Sequence, residues 1–230
     1  MHEFLENSVF FGVLVSLCSY GAGTFLKKRF KHSFFNPLLI AIVLTMLILL
    51  VFKIDYEVYY EGAKYISYLL TPATICLAIP LYEQMELLKK QFKVIIAGII
   101  SGVLTSLCCI LAMALLFGLS RAEYVTLLPK SVTTAIGMGI SEELGGYVSI
   151  TAAVIIVTGI LGSVIADALF KVFHITEPIA KGIALGTASH AIGTAKALEL
   201  GETESAMSSL SIVVAGILTV AGASVFAQFL

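Results

Sequence analysis

Residues 94–120 read VIIAGIISGVLTSLCCILAMALLFGLS, 27 positions without a charged side chain. At about 1.5 Å of rise per residue, a helix of this length reaches about 40 Å, enough to cross a hydrocarbon core about 30 Å thick. Outward from it, the chain holds five more charge-free stretches of spanning length: 7–26, 32–52, 65–82, 144–166 and 205–230. Hydrophobic residues make up 59% of the 230 positions and charged residues 13%, against about 45–50% and about 25% in soluble domains. The excess must face lipid. The sequence therefore predicts an all-α integral membrane protein with six transmembrane helices. It leaves no room for a soluble catalytic domain, and an enzyme is not expected.

Two apolar stretches are too short to span, 131–141 between Lys130 and Glu142, and 182–195 between Lys181 and Lys196. They belong to a repeat. At an offset of 56 residues, Thr134-Ala135-Ile136-Gly137 falls on His190-Ala191-Ile192-Gly193, and Glu143-Leu144-Gly145 falls on Glu199-Leu200-Gly201. Each unit is a short polar-apolar segment followed by one full span. This divides a single polytopic membrane domain, 1–230, into a four-helix N-terminal part at 1–120 and repeat units at 125–170 and 181–230.

Basic residues in short loops mark the cytoplasmic side. Lys27, Lys28, Arg29 and Lys31 place the first loop inside, and Lys89, Lys90 and Lys93 do the same for the third. If both short segments cross, the 14 Lys and Arg divide 8 inside to 6 outside; if both are re-entrant or broken-helix hairpins, they divide 10 to 4. The second arrangement is expected. It inverts one repeat relative to the other, with both termini outside, a plan used by secondary transporters. Met1 to Glu6 carries no Lys or Arg, so the first span is expected to remain in the mature protein rather than leave as a signal peptide.

The hairpins read Leu128-Pro129-Lys130-Ser131-Val132-Thr133-Thr134-Ala135-Ile136-Gly137-Met138-Gly139 and Gly186-Thr187-Ala188-Ser189-His190-Ala191-Ile192-Gly193-Thr194-Ala195-Lys196. Irregular backbone survives at membrane depth only against protein or a water-filled cavity, and half-helix N-termini offer N–H groups to anions. The expected guest is a small anion. Lys130, His190 and Lys196 supply cations, Ser131, Thr133, Thr134, Ser189 and Thr194 supply hydroxyls, and Gly193 lets the backbone approach. His190 could also carry a coupled proton, sodium being the other candidate coupling ion. Asp167, Glu142, Glu143 and Glu199 rank lower. Pro72 and Pro80, eight residues apart in the third span, free backbone carbonyls, so this helix is expected to kink or unwind beside a site, with Thr74 among the ligand-binding residues. Thr105, in the uninterrupted fourth span, is expected to take no part.

No cofactor is implied. Cys18, Cys76, Cys108 and Cys109 lie inside predicted spans and match no zinc or disulfide framework, and a net charge of −1 gives nucleic acid no footing.

Asn36-Pro37, Pro72 to Tyr82, Pro129 to Thr134 and Gly186 to Ala195 together resemble the LrgB/CidB family of bacterial membrane proteins, and the resemblance runs over essentially the whole chain. Ala135 departs from it, since many members carry proline there, so the first hairpin is expected to bend differently. The resemblance implies two functions. One is modulation of murein hydrolase activity and autolysis as a holin- or antiholin-like protein, alongside a small LrgA/CidA-type membrane partner. The other, which agrees with the inverted hairpins and is the expected function, is secondary transport of monocarboxylates of the pyruvate, lactate, glycolate or glycerate class together with that small partner, as in plastid relatives that move glycolate and glycerate. A multi-pass protein of the bacterial cytoplasmic (inner) membrane, assembling as a homo-oligomer in the lipid bilayer, is the corresponding expectation.

Overall fold

The computed structural model describes residues 10–30, 35–76 and 78–230, whose regular secondary structure is helical, without strands. The chain falls into two compact units, Met1–Cys76 and Leu77–Leu230. Four stretches, Tyr56–Glu83, Met85–Phe117, Val148–Val172 and Glu202–Phe226, are long and apolar enough to cross a membrane, and Pro37–Phe52 is a shorter apolar helix.

In the first unit, α1 spans Phe11–Phe30, α2 Pro37–Phe52, α3 Tyr56–Ser67 and α4 Leu70–Cys76. The Asn36-Pro37 pair opens α2 as its chemistry dictates: the Asn36 side chain accepts from Leu38 N at 2.9 Å and Leu39 N at 3.3 Å, and Pro37 has no N–H to leave unsatisfied. α1 lies close against α3. A Cβ at Gly12 would collide with the backbone of Tyr59 and Ala63, and the hydroxyls of Ser16 and Tyr59 stand 2.7 Å apart. The beginnings of the first two predicted spans, 7–9 and 32–34, lie outside the described residues, as do Lys31 and the side chain of Thr74.

In the second unit, α5 is Ala78–Glu83, α6 Met85–Phe117, α7 Arg121–Leu127, α8 Thr134–Leu144, α9 Val148–Val172, α10 Pro178–Leu200 and α11 Glu202–Phe226. The fourth predicted span, α6, packs with the repeat units. Of the two prolines of the third span, Pro72 lies in α4 and Pro80 in α5, each with helical backbone; residue 77, between the two helices, is outside the described residues. α6 has 33 residues, about 50 Å. Its buried side chains, Ile95, Ile99, Val103, Leu107, Ile110 and Ala114, recur every three or four positions, one helical stripe against the core. Leu104, Leu115, Leu116 and Phe117 are exposed, as lipid-facing positions must be.

Both short segments are hairpins. α7 and α8 fold back on each other through the turn 128–133, and α9 returns beside them. The Thr126 hydroxyl accepts from Tyr147 N at 2.8 Å, and the Thr151 hydroxyl lies 2.9 Å from Thr126 O and 2.7 Å from Ser141 Oγ. The second hairpin lies inside α10, where His190 breaks the helix at φ 43°, ψ −134°. Gly193 sits directly against the Leu185 carbonyl, although eight residues of continuous helix would hold them about 12 Å apart. The two arms are therefore folded together. In each unit the first arm runs parallel to the span that follows. Gly182 and Gly186 abut Glu204 and Ser208 of α11 in that order, whereas Ser189 abuts Gly162 of α9, so α9 and α11 are antiparallel and the units are inverted.

Candidate functional site

The tip of the first hairpin is held where a span would be deepest. Pro129 cannot donate to a helix, and the chain turns through Val132 N to Pro129 O at 3.3 Å before Thr133 caps α8 in an extended conformation. Ala135 lies in the first turn of α8, a position that proline would also fit. At this tip the Lys130 ammonium donates to Ser131 Oγ at 2.8 Å, and Ser131 Oγ stands 3.4 Å from Ser106 Oγ of α6. Ser106 is near the middle of the apolar stretch 94–120.

Lys130 and Ser131 close one end of a cavity of about 800 Å³ between α6 and the first arm of α10. The α6 wall carries Gln91, Val94, Gly98, Gly102, Thr105, Ser106 and Cys109; the α10 wall carries Ile179, Ala180, Ile183, Ala184, Thr187 and Ala188, with Glu177 just before the helix. The two helices run parallel, as Gly98 faces Ile183 and Gly102 faces Thr187. Glu177 and Gln91 therefore share one end, and the hydroxyls and Lys130 gather at the other, roughly 16 Å away along α10. Among the described residues no carboxylate lies within ion-pair distance of Lys130, whose hydrogen bond is to Ser131. The Thr187 hydroxyl is buried without a hydrogen-bond partner. A cation and an unsatisfied donor at one end of an apolar cavity are costly at membrane depth unless something negative joins them.

The other second-unit residues expected at the site do not line this cavity. The His190 ring turns to α9, its Nε2 3.0 Å from Ile155 O, and a Cβ at Gly159 would touch it. Thr194 Oγ1 lies 3.1 Å from His190 O and 2.7 Å from Ser208 Oγ. Ser189 is buried against Gly162, and Gly193 brings the hairpin arms together. Lys196 pairs with Asp167 at 2.7 Å and Glu199 at 3.5 Å, so its charge is already matched. Thr133 and Thr134 cap and begin α8 without lining the cavity. Thr74 belongs to the first unit. Thr105, expected to be a bystander, is on the cavity wall; it and Ser106, Thr187 and Cys109 are positions that motif spacing alone does not single out. One signal could have found those on α6: Gly98, Gly102, Thr105, Ser106 and Cys109 mark a single face of that helix with small or polar residues at helical spacing. No group of His, Cys, Asp and Glu among the described residues could hold a metal ion.

Beyond the end of α6 at Phe117, Ser120 caps α7 reciprocally with Glu123. The Ser120 backbone N–H and hydroxyl donate to the Glu123 carboxylate at 2.8 and 2.7 Å, and these bonds hold that carboxyl below its ordinary range.

The LrgB-like family model matches residues 16–229. The antiholin-like protein LrgB of Bacillus cereus strain B4264 is 41% identical over 222 residues, covering 96% of each chain. The protein of the same name from Bacillus anthracis is equally similar over the same length. No solved structure matches the chain.

Proposed function

The chain belongs to the LrgB-like family of multi-pass membrane proteins, and from that premise we propose that it is a secondary transporter of small monocarboxylate anions in a bacterial cytoplasmic membrane. One observation carries the reading: Lys130, without a carboxylate partner among the described residues, stands at the hairpin end of the cavity with the unpartnered Thr187 hydroxyl on its wall. The inverted broken-helix pairs supply the architecture in which such a site can be reached alternately from two sides. Glu177 and Gln91 lie beside Lys89, Lys90 and Lys93 in the folded unit, so by the positive-inside rule this end opens to the cytoplasm. Accumulation would draw on a co-transported proton or sodium ion, and no enzymatic step is involved.

The test is uptake of labelled pyruvate, lactate and glycolate into vesicles containing this chain, with and without a small LrgA/CidA-type partner, and the same measurement on Lys130→Gln. Wild-type uptake above empty vesicles that falls at least tenfold in the variant supports the reading. Equal uptake by wild type and Lys130→Gln at equal abundance removes it.

The relatives' shared description as antiholin-like favours a second reading, a scaffold that modulates murein hydrolase activity through assembly with itself or another membrane protein. On that reading Lys130→Gln leaves autolysis of the host unchanged, and substitutions on lipid-facing positions such as Leu104 and Leu115 alter it.

A further inference from the structure

We infer that the cavity between α6 and the first arm of α10 is built for a monocarboxylate with an apolar tail, and that binding strengthens as the tail lengthens beyond three carbons. The inference rests on the anion reading of Lys130 given above. About 800 Å³ is within the range of sites that enclose drug-sized molecules, roughly 300–1,000 Å³, and far more than a three-carbon acid occupies. Away from Lys130 the walls are apolar or small: Val94 and Gly98 on α6, and Ile179, Ala180, Ile183 and Ala184 on α10. A short polar anion seated on Lys130 leaves those walls to water, which they cannot hydrogen-bond; an alkyl tail covers them. Two features set the charge at one. Among the described residues lining the cavity Lys130 is the single cation, and Glu177 stands at the opposite end, where a second carboxylate on the ligand would meet a like charge. The expected class is thus a carboxylate head with an aliphatic tail, such as branched or straight-chain acids of four to eight carbons, in preference to two- or three-carbon acids and to dicarboxylates.

Cys109, exposed and on the cavity wall, provides the readout. In full-length protein with Cys18, Cys76 and Cys108 replaced by serine, alkylation of Cys109 is timed against acetate, butyrate, hexanoate and octanoate. Octanol serves as a tail without charge, and suberate as the same length with two charges. Each buried methylene should lower the half-protecting concentration roughly fourfold, octanol and suberate should protect at least tenfold less well than octanoate, and Ala184→Phe should flatten the series. Should that variant fail to accumulate, Ala180→Leu one turn away makes the same test. A half-protecting concentration that stays level or rises beyond acetate, while acetate and pyruvate protect in a Lys130-dependent way, overturns the tail inference and leaves the anion reading intact. Octanol protecting as well as octanoate, unchanged by Lys130→Gln, shows a groove for acyl chains alone, and then both readings fall.

Discussion

The two hairpins descend from one pattern and have parted in use. Thr134 and His190 occupy equivalent positions, as do Gly137 and Gly193, yet the first hairpin turns through several non-helical residues and presents Lys130 and Ser131 to a cavity. The second turns at a single residue, His190: Thr187, before the turn, lies on the wall of the same cavity, and from the turn onward the polar groups go to neighbours, the ring to α9, Thr194 to α11, Lys196 to Asp167 and Glu199. The difference teaches that a polar segment at membrane depth has two ways to satisfy itself. It can fill its own hydrogen bonds with protein, which makes it a brace, or leave them to a guest, which makes it a site.

The sharpest way to break this comparison is through the paired glycines. A Cβ at Gly193 meets the Leu185 backbone carbonyl, which cannot yield, whereas one at Gly137 meets chiefly the end of the Ile155 side chain, which can rotate away. Gly193→Ala should therefore cost about 1–3 kcal/mol or more, and Gly137→Ala under about 1 kcal/mol. Thermal unfolding in detergent measures both, and equal losses would mean that the arms of α10 are not in contact.

Next come the two lysines. Lys130→Gln should weaken anion binding roughly ten- to a hundredfold, the worth of a hydrogen bond to a charged group, about 1.5–3 kcal/mol, with little change in stability. Lys196→Gln should do the reverse. Its partners are half-exposed, so the loss of stability should be at most about 1 kcal/mol, and affinity should change by less than about threefold. Exchange of these outcomes would move the site to the second hairpin.

The tips themselves separate by the sign of a glycine substitution. At φ 43° His190 is in a region that favours glycine, a strain of about 1–3 kcal/mol for other residues. His190→Ala keeps the strain and loses the bond to Ile155 O, so it should be less stable than His190→Gly. At Thr134, the first residue of α8, glycine should instead be worse than alanine by about 0.5–1 kcal/mol. Melting curves of the four variants decide it; the same order at both positions would show that the tips are built alike.

Much of this was legible in the sequence because charge is expensive in a bilayer. The gaps between charged residues located the helices, and the offset of 56 residues was enough to align the hairpin tips. What stayed hidden was which polar groups face the cavity. His190 is a more conspicuous residue than Thr187, but a ring nitrogen reaches a carbonyl on α9, and only tertiary packing reveals it. Thr105 and Ser106 were obscured for a different reason: in a span apolar on its lipid face and its protein face alike, the stripe they form with Gly98, Gly102 and Cys109 differs from its surroundings by size more than by polarity. The partnership of Lys196 with Asp167 spans 29 positions, beyond any local pattern.

The smallest expected effect concerns how each hairpin begins. α7 opens with the reciprocal Ser120–Glu123 cap, whereas α10 opens on Pro178 after Glu177, whose side chain caps nothing. Hydrogen bonds from Ser120 hold the Glu123 carboxyl below its ordinary range, so the charged form is the one the folded state favours. The contribution is fully present above the unfolded carboxyl's pKa and is lost as the pH falls through the lower folded value. Ser120→Ala should lower the melting temperature slightly near neutral pH, and the gap to wild type should close once the pH is acid enough to protonate Glu123 in the folded protein. A gap that widens in acid would show that the Ser120–Glu123 pair does not stabilise the first hairpin.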